Sequence, residues 1–118
     1  MGVIASRFEE LDVWKNAREL SKEIYVLSRD WRDFELKDQI RRAVVSISSN
    51  IAEGYDRGSK LDFIRFLYIA RASGSEVRSQ LYLALDLGYL NQKQFDILYS
   101  KIDMIVRQLA SFIAKLKR

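Results

Sequence analysis

The chain has 118 residues, enough for one domain built round one core. It contains no cysteine and no histidine, which removes disulfides, thiolate chemistry, the commonest general base and the commonest metal ligand together. Its 20 basic and 16 acidic residues leave a net charge of +4, which permits an anionic partner without demanding one.

No proline and only 5 glycines punctuate the chain, and this favours long uninterrupted helices. The longest uncharged stretch, residues 43–52, is far short of the ~20 residues a membrane span needs, so no membrane partner is expected. Absence of cysteine fits an intracellular domain. Met1-Gly2-Val3-Ile4-Ala5-Ser6 matches an acylation pattern, which so short a motif often does by accident.

Ser6-Arg7-Phe8-Glu9 reads as a capping box before a first helix. Val13, Ala17, Leu20, Ile24, Leu27 and Trp31 then fall at steps of four and three, which predicts a helix over residues 9–29. Residues 30–35 are a connection whose aromatics, Trp31 and Phe34, are expected to fold over the end of the helices. Helix two is predicted over 36–53, with Leu36, Ile40, Ala43, Val44, Ile47 and Ile51 as its apolar stripe. Beside that stripe runs a polar one: Gln39, Arg42, Ser46, Asn50 with Ser49, and Glu53. Gly54 is expected to end the helix, having no Cβ to oppose a left-handed conformation.

Residues 54–59 superficially resemble a phosphate loop. The glycine spacing is one short, Ser59 and Lys60 are in the wrong order, and a helix rather than a strand precedes them. Ser59-x-x-Asp62 is another capping signature, opening helix three over 60–87 with Phe63, Phe66, Ala70, Ser73, Val77, Leu81 and Ala84 inward. Gly88 stops it. Asn91-x-x-Gln94 starts helix four over 92–117, where Phe95, Leu98, Ile102, Ile105, Leu109, Phe112 and Leu116 repeat at three–four steps. Four amphipathic helices joined by short loops predict an all-α, antiparallel up-down four-helix bundle, one domain over residues 1–118.

The polar stripe of helix two is the first candidate site. Folding helices two and three back on each other places Glu53 near Lys60. It places Ser46 near Leu67 and Ala70, and Arg42 near Arg71 and Ser73, within a turn of Glu76. Two readings use the same residues. In the structural one, Glu53 and Asn50 satisfy the open amides of helix three and Arg42 pairs with Glu76. In the functional one, they contact a ligand or a subunit. The carboxylates of Glu53 and Glu76 lie near opposite ends of antiparallel helices, so no enzymatic activity is expected, and no cofactor, metal or small-molecule substrate.

Helix four carries the charge asymmetry. From Tyr89 onward six basic residues, Lys93, Lys101, Arg107, Lys115, Lys117 and Arg118, stand against two acidic ones, Asp96 and Asp103. They form either a solvated face or a phosphate-binding strip for nucleic acid. Ile97 and Met104 share the outer arc of that helix, and apolar groups there suggest a subunit interface and a cyclic homo-oligomer.

The segments LDVWKNAREL, QIRRAVVSISSNIAEG and FLYIARASGSEVRSQL closely resemble the bacterial four-helix bundle proteins encoded in intervening sequences of 23S ribosomal RNA genes. The resemblance covers Leu11 to Leu116, and Ser-x-x-x-Asn-Ile-Ala-Glu-Gly is its most specific part. Arg42, Ser46, Asn50, Ala52, Glu53, Gly54, Ser73 and Glu76 occupy positions characteristic of that family. Ala72, where the family often has glycine, and the lack of a proline in the first connection are departures. The resemblance implies a small cytoplasmic bundle forming a homopentameric ring, with no established enzymatic activity. At the level of fold the chain also resembles the accessory protein of diversity-generating retroelements, a basic pentamer that engages a reverse transcriptase and nucleic acid. The expected partners are therefore other copies of the chain and RNA or an RNA-handling protein. The alternative is a purely structural or protein-interaction assembly with no nucleic-acid role.

Overall fold

The computed structural model describes residues 5–118; the acylation-like pattern begins on Met1 to Ile4, which lie outside them. After a short 3-10 turn, Phe8–Glu10, come four helices: α1 (Asp12–Leu27), α2 (Phe34–Asp56), α3 (Lys60–Asp86) and α4 (Gln92–Lys117). There is no strand among the described residues. Each helix packs on two neighbours: α1 on α2 and α4, and α3 on α2 and α4. The α2–α3 contact is the broadest and the α1–α4 contact the narrowest. The body measures 47 × 21 × 19 Å. Among the described residues no helix is long and apolar enough to cross a membrane.

The core is made by the stripes that the periodicity picks out. Ala17, Leu20 and Ile24 meet Ile40, Val44, Ile47 and Ile51, and these meet Val77, Leu81, Ile102, Ile105 and Leu109. Two positions differ. Leu67 is buried where Phe66 was expected, and Ile113 is buried where Phe112 and Leu116 were expected; Phe66 and Phe112 are only half-covered.

The helix ends show which local signals hold. Asn91 and Gln94 form the full capping box: Gln94 N donates to Asn91 Oδ1 at 2.8 Å and Asn91 N to Gln94 Oε1 at 3.0 Å. Ser59 Oγ accepts from Asp62 N at 3.1 Å. Gly88 has φ 81°, and the amides of Gly88 and Tyr89 reach back to Leu85 and Ala84, closing α3 in a Schellman turn.

Elsewhere the ends move. Ser6 binds Glu10 rather than Glu9: its amide donates to Glu10 Oε1 at 2.9 Å and its hydroxyl at 3.1 Å. Helix α1 then begins only at Asp12, because burying Leu11 in the core requires a turn first. It ends at Leu27, where the buried Ser28 hydroxyl accepts from Arg41 Nε at 2.9 Å. Helix α2 starts early, at Phe34, because the Asp33 carboxylate caps the Leu36 amide at 3.0 Å. Trp31 is buried and stacks on Tyr89, with ring centroids 5.1 Å apart, and the Tyr89 hydroxyl accepts from Asp33 N at 2.9 Å. Phe34, by contrast, stays exposed.

The largest correction concerns Gly54. It does not end α2, which runs on to Asp56; Gly58, at φ 80°, makes the turn. Gly54 is buried inside the helix, and a Cβ placed on it would lie 2.5 Å from the Cβ of Phe66. The residue is small because α3 passes over it, not because the backbone turns there. Running on before the reversal also shifts the pairing of the two helices by about one turn, so that Ser46 faces Ser73 rather than Leu67 and Ala70. The two hydroxyls are 2.9 Å apart, and Asn50 Nδ2 donates to Ser46 Oγ at 2.9 Å and to the Ser46 carbonyl at 2.8 Å. Glu53 is exposed and pairs with Arg57 at 3.1 Å; the start of α3 is capped by Ser59 instead.

Two outcomes check this interface. In an open helix, Gly→Ala gains up to ~1 kcal/mol. At Gly54 the contact with Phe66 is rigid on both sides, and overpacking of this kind costs about 1–3 kcal/mol. Gly54→Ala therefore lowers the urea midpoint, by the equivalent of about 1 kcal/mol or more, and a raised midpoint would show that the helices do not approach so closely. For the serines, Ser46→Ala strands the Ser73 hydroxyl and costs about 1–2 kcal/mol, whereas Ser73→Ala costs less because Asn50 still donates to Ser46 Oγ. The double variant costs less than the two singles together; strict additivity in the denaturation cycle would mean the hydroxyls are not partners.

Candidate functional site

The polar stripe of α2 divides in two. Ser46 meets the buried Ser73 of α3, and Asn50 donates to Ser46 on its own helix. Farther from the loop, Gln39, Arg42, Ser46, Glu76 and Gln80 surround an open cleft of about 330 Å³ between α2 and α3. Arg42 and Glu76 are both exposed, and no ion pair joins them among the described residues. The cleft thus sets a guanidinium and a carboxylate within one hollow, both open to water. Gln80 Oε1, on the same cleft, is buried without a hydrogen-bond partner among the described residues.

Glu53 is one residue from Gly54, opposite Phe66, while Glu76 shares the cleft with Ala43. Ten residues of α2, ~15 Å, lie between those levels, too far for the two carboxylates to act on one atom. Among the described residues no group of three carboxylates converges as a metal site would require.

The cations of α4 have unequal surroundings. Lys101 is bound to the Glu23 carboxylate of α1, whose second oxygen is buried and unpartnered among the described residues. Arg107 pairs with Asp103 at 3.1 Å, and Lys117 donates to the Tyr68 hydroxyl at 3.0 Å. Lys93, Lys115 and Arg118 are exposed and take part in no ion pair among the described residues. Lys115 borders a hollow that also holds Glu10 and Asp12, so its field is partly offset. The Glu10 carboxyl itself is held below its usual value by the amide and hydroxyl of Ser6.

Ile97 and Met104 are 47% and 45% exposed, far more than the apolar side chains of the core stripe. Ile97, Val26 and Leu27 line a mainly apolar groove of about 360 Å³ where α1 and α4 part.

One group was not legible in the sequence as a group, and of its members sequence reasoning singles out only Lys117, as part of the basic strip. Tyr68, Arg71, Arg78 and Tyr82 lie along α3, and Tyr99 and Lys117 face them from α4. The Arg71 guanidinium lies 4.9 Å from the Tyr68 ring centroid, and Lys117 lies 5.5 Å from the same ring. Arg78 Nη2 donates to the Tyr99 hydroxyl at 3.1 Å. The hydrogen bond from Lys117, and then its charge, lower the Tyr68 phenol's pKa, and the hydrogen bond from Arg78 lowers that of Tyr99. The available signal was the spacing of Tyr68, Arg71, Arg78 and Tyr82, at steps of three, seven and four on one helix face. It was masked because the partners on α4 are far away in sequence.

The model of the 23S rRNA-intervening sequence protein family matches residues 9–111. Among curated proteins none matches. A crystal structure of a protein of unknown function from the S23 ribosomal protein family of Bacteroides thetaiotaomicron is 28% identical. It superposes with a TM-score of 0.81, covering 86% of this chain and 97% of that one. The neighbour shares the four-helix all-α architecture over nearly its whole length, and the family match spans the Ser46–Gly54 segment and the facing stretch of α3. The chain belongs to the 23S rRNA-intervening sequence protein family.

Proposed function

We propose that the protein is a non-enzymatic, cytoplasmic homo-oligomer that associates with RNA, or with an RNA-handling protein, through the basic side of α4. The reading takes the helices as an antiparallel up-down bundle. Support comes from contacts whose numbering runs in opposite senses: Gly54 with Phe66 and Ser46 with Ser73, then Asn16 with Gln108 and Glu23 with Lys101. The observation that carries the functional part is the exposure of Lys93, Lys115 and Arg118 on the helix that holds the chain's whole excess of positive charge.

One copy is a weak polycation. A closed ring, of five copies if the family resemblance extends to assembly, would repeat the strip around an axis. Several weak phosphate contacts made at once then raise the effective affinity without any new contact. Ile97 and Met104 supply the support for self-association: two large apolar side chains on the outer arc, one of them on an apolar groove, are costly to leave in water. Cyclic closure is the common way for identical chains to bury such a surface.

The expected solution mass, read by light scattering, is several times that of the chain, and Ile97→Asp with Met104→Asp lowers it. A monomeric wild type removes the ring. Single-stranded RNA is expected to bind at about 50 mM salt and to weaken at least about tenfold by about 200 mM. Binding should fall further in Lys115→Glu with Arg118→Glu. No binding at the lower salt leaves an assembly that makes only protein contacts.

A further inference from the structure

The tyrosines and arginines between α3 and α4 form a continuous surface. Tyr68, Arg71, Ser75, Arg78 and Tyr82 recur at steps of three and four, which sets them on one face of α3. Tyr99, Val106 and Lys117 meet that face from α4: Tyr99 at Arg78 and Tyr82, Val106 at Gly74, and Lys117 at Tyr68. From Tyr68 to Tyr82 is 14 residues of helix, ~21 Å. At one end Tyr68 lies between Arg71 and Lys117. At the other Tyr82, half exposed, packs on Phe95 at 4.9 Å and Tyr99 at 5.6 Å between centroids. Gly74 lets the two helices come together in the middle, where a Cβ would meet Val106 at 2.7 Å.

The charge on this seam is predominantly positive. Arg71, Arg78 and Lys117 border it. Asp103, the acidic group acting on Arg78 and Tyr99, is already held by Arg107. A seam-to-seam contact between two copies would set like charges together. Partly exposed tyrosines, 37% for Tyr68 and 50% for Tyr82, flanked by planar guanidinium groups and a lysine have the chemistry that a single nucleic-acid strand needs. Its bases stack on tyrosine or arginine and its phosphates meet the cations. A duplex hides its base faces and gains only the second of these. In the folded chain Arg78 keeps its Nε buried without a partner among the described residues, while Nη2 is committed to Tyr99. The guanidinium plane is thus held beside the aromatic cluster.

We propose that the α3–α4 seam, from Tyr68 to Tyr82, is a stacking site for single-stranded RNA, separate from the outer strip of α4. The inference rests on the RNA reading above and names the site within it.

The test is fluorescence anisotropy of labelled oligouridylate and oligoadenylate, single-stranded and in a duplex with each other, at about 50 mM salt. Tyr82→Ala and Tyr68→Ala are each expected to weaken single-strand binding about tenfold, as loss of one stacked base does, whereas Tyr82→Phe retains it. Duplex binding changes little. Tyr82 is half exposed, so the variants fold, and unchanged melting temperatures check that. If wild type binds, both alanine variants bind equally well and only Lys93→Glu with Lys115→Glu abolishes binding, the seam is overturned and RNA association through the strip stands. If nothing binds, both fall. If the alanine variants instead lower the solution mass, the seam is a subunit contact and the proposal is wrong.

Discussion

The separation of α2 and α3 governs the rest of the molecule. At Gly54 the two backbones come so close that the Phe66 Cβ occupies the space a side chain would take. Everything nearby follows from that approach. With no room for large groups at the crossing, the facing positions farther along are serines. Being buried or half-buried, these must find partners, and each finds the other. Asn50 then ties Ser46 to its own helix. Small size and polarity, odd in a core-facing helix, are thus one consequence of a short interhelical distance.

This bears on how much of the protein could be read in advance. The core stripes of α1, α2 and α4 as far as Leu109, the Asn91–Gln94 box and the Gly88 turn were legible because each depends on residues within a turn or two of itself. The role of Gly54 was not. A glycine at the expected end of a helix and a glycine beneath a crossing helix look the same in one dimension, and only Phe66 distinguishes them. The misplaced end carried the pairing of Ser46 with it, since register along two helices is counted from the loop. Ser6 binding Glu10 instead of Glu9 is a smaller error of the same kind, made by the burial of Leu11.

The candidate surfaces show the same divide. Lys93, Lys115 and Arg118 could be assigned to an outer face from spacing, whereas Lys101 could not be known to meet Glu23 of a helix far away in sequence. The Arg78–Tyr99 contact likewise joins α3 to α4 across a turn. Charge counted along the chain treats these cations as equal. Folding sorts them into partnered and unpartnered ones, and only the latter are spared the cost of breaking an existing contact before meeting a phosphate. Membership of the 23S rRNA-intervening sequence protein family accounts for the architecture and leaves the sorting of surface charge to this chain's own residues.

The two tryptophans occupy unlike settings. Trp31 is buried against Tyr89 beyond the last turn of α1, whereas Trp14, in its first turn, is half-covered, edge-on to Phe8 and beneath Arg18. With 16 residues between them, most of them helical, they stand roughly 25 Å apart. The protein therefore carries an intrinsic optical probe near each extremity of its first helix, one shielded from aqueous quenchers and one accessible. Fraying that begins at the amino end and loosening that begins at the far connection would be resolved by emission wavelength, with no label attached.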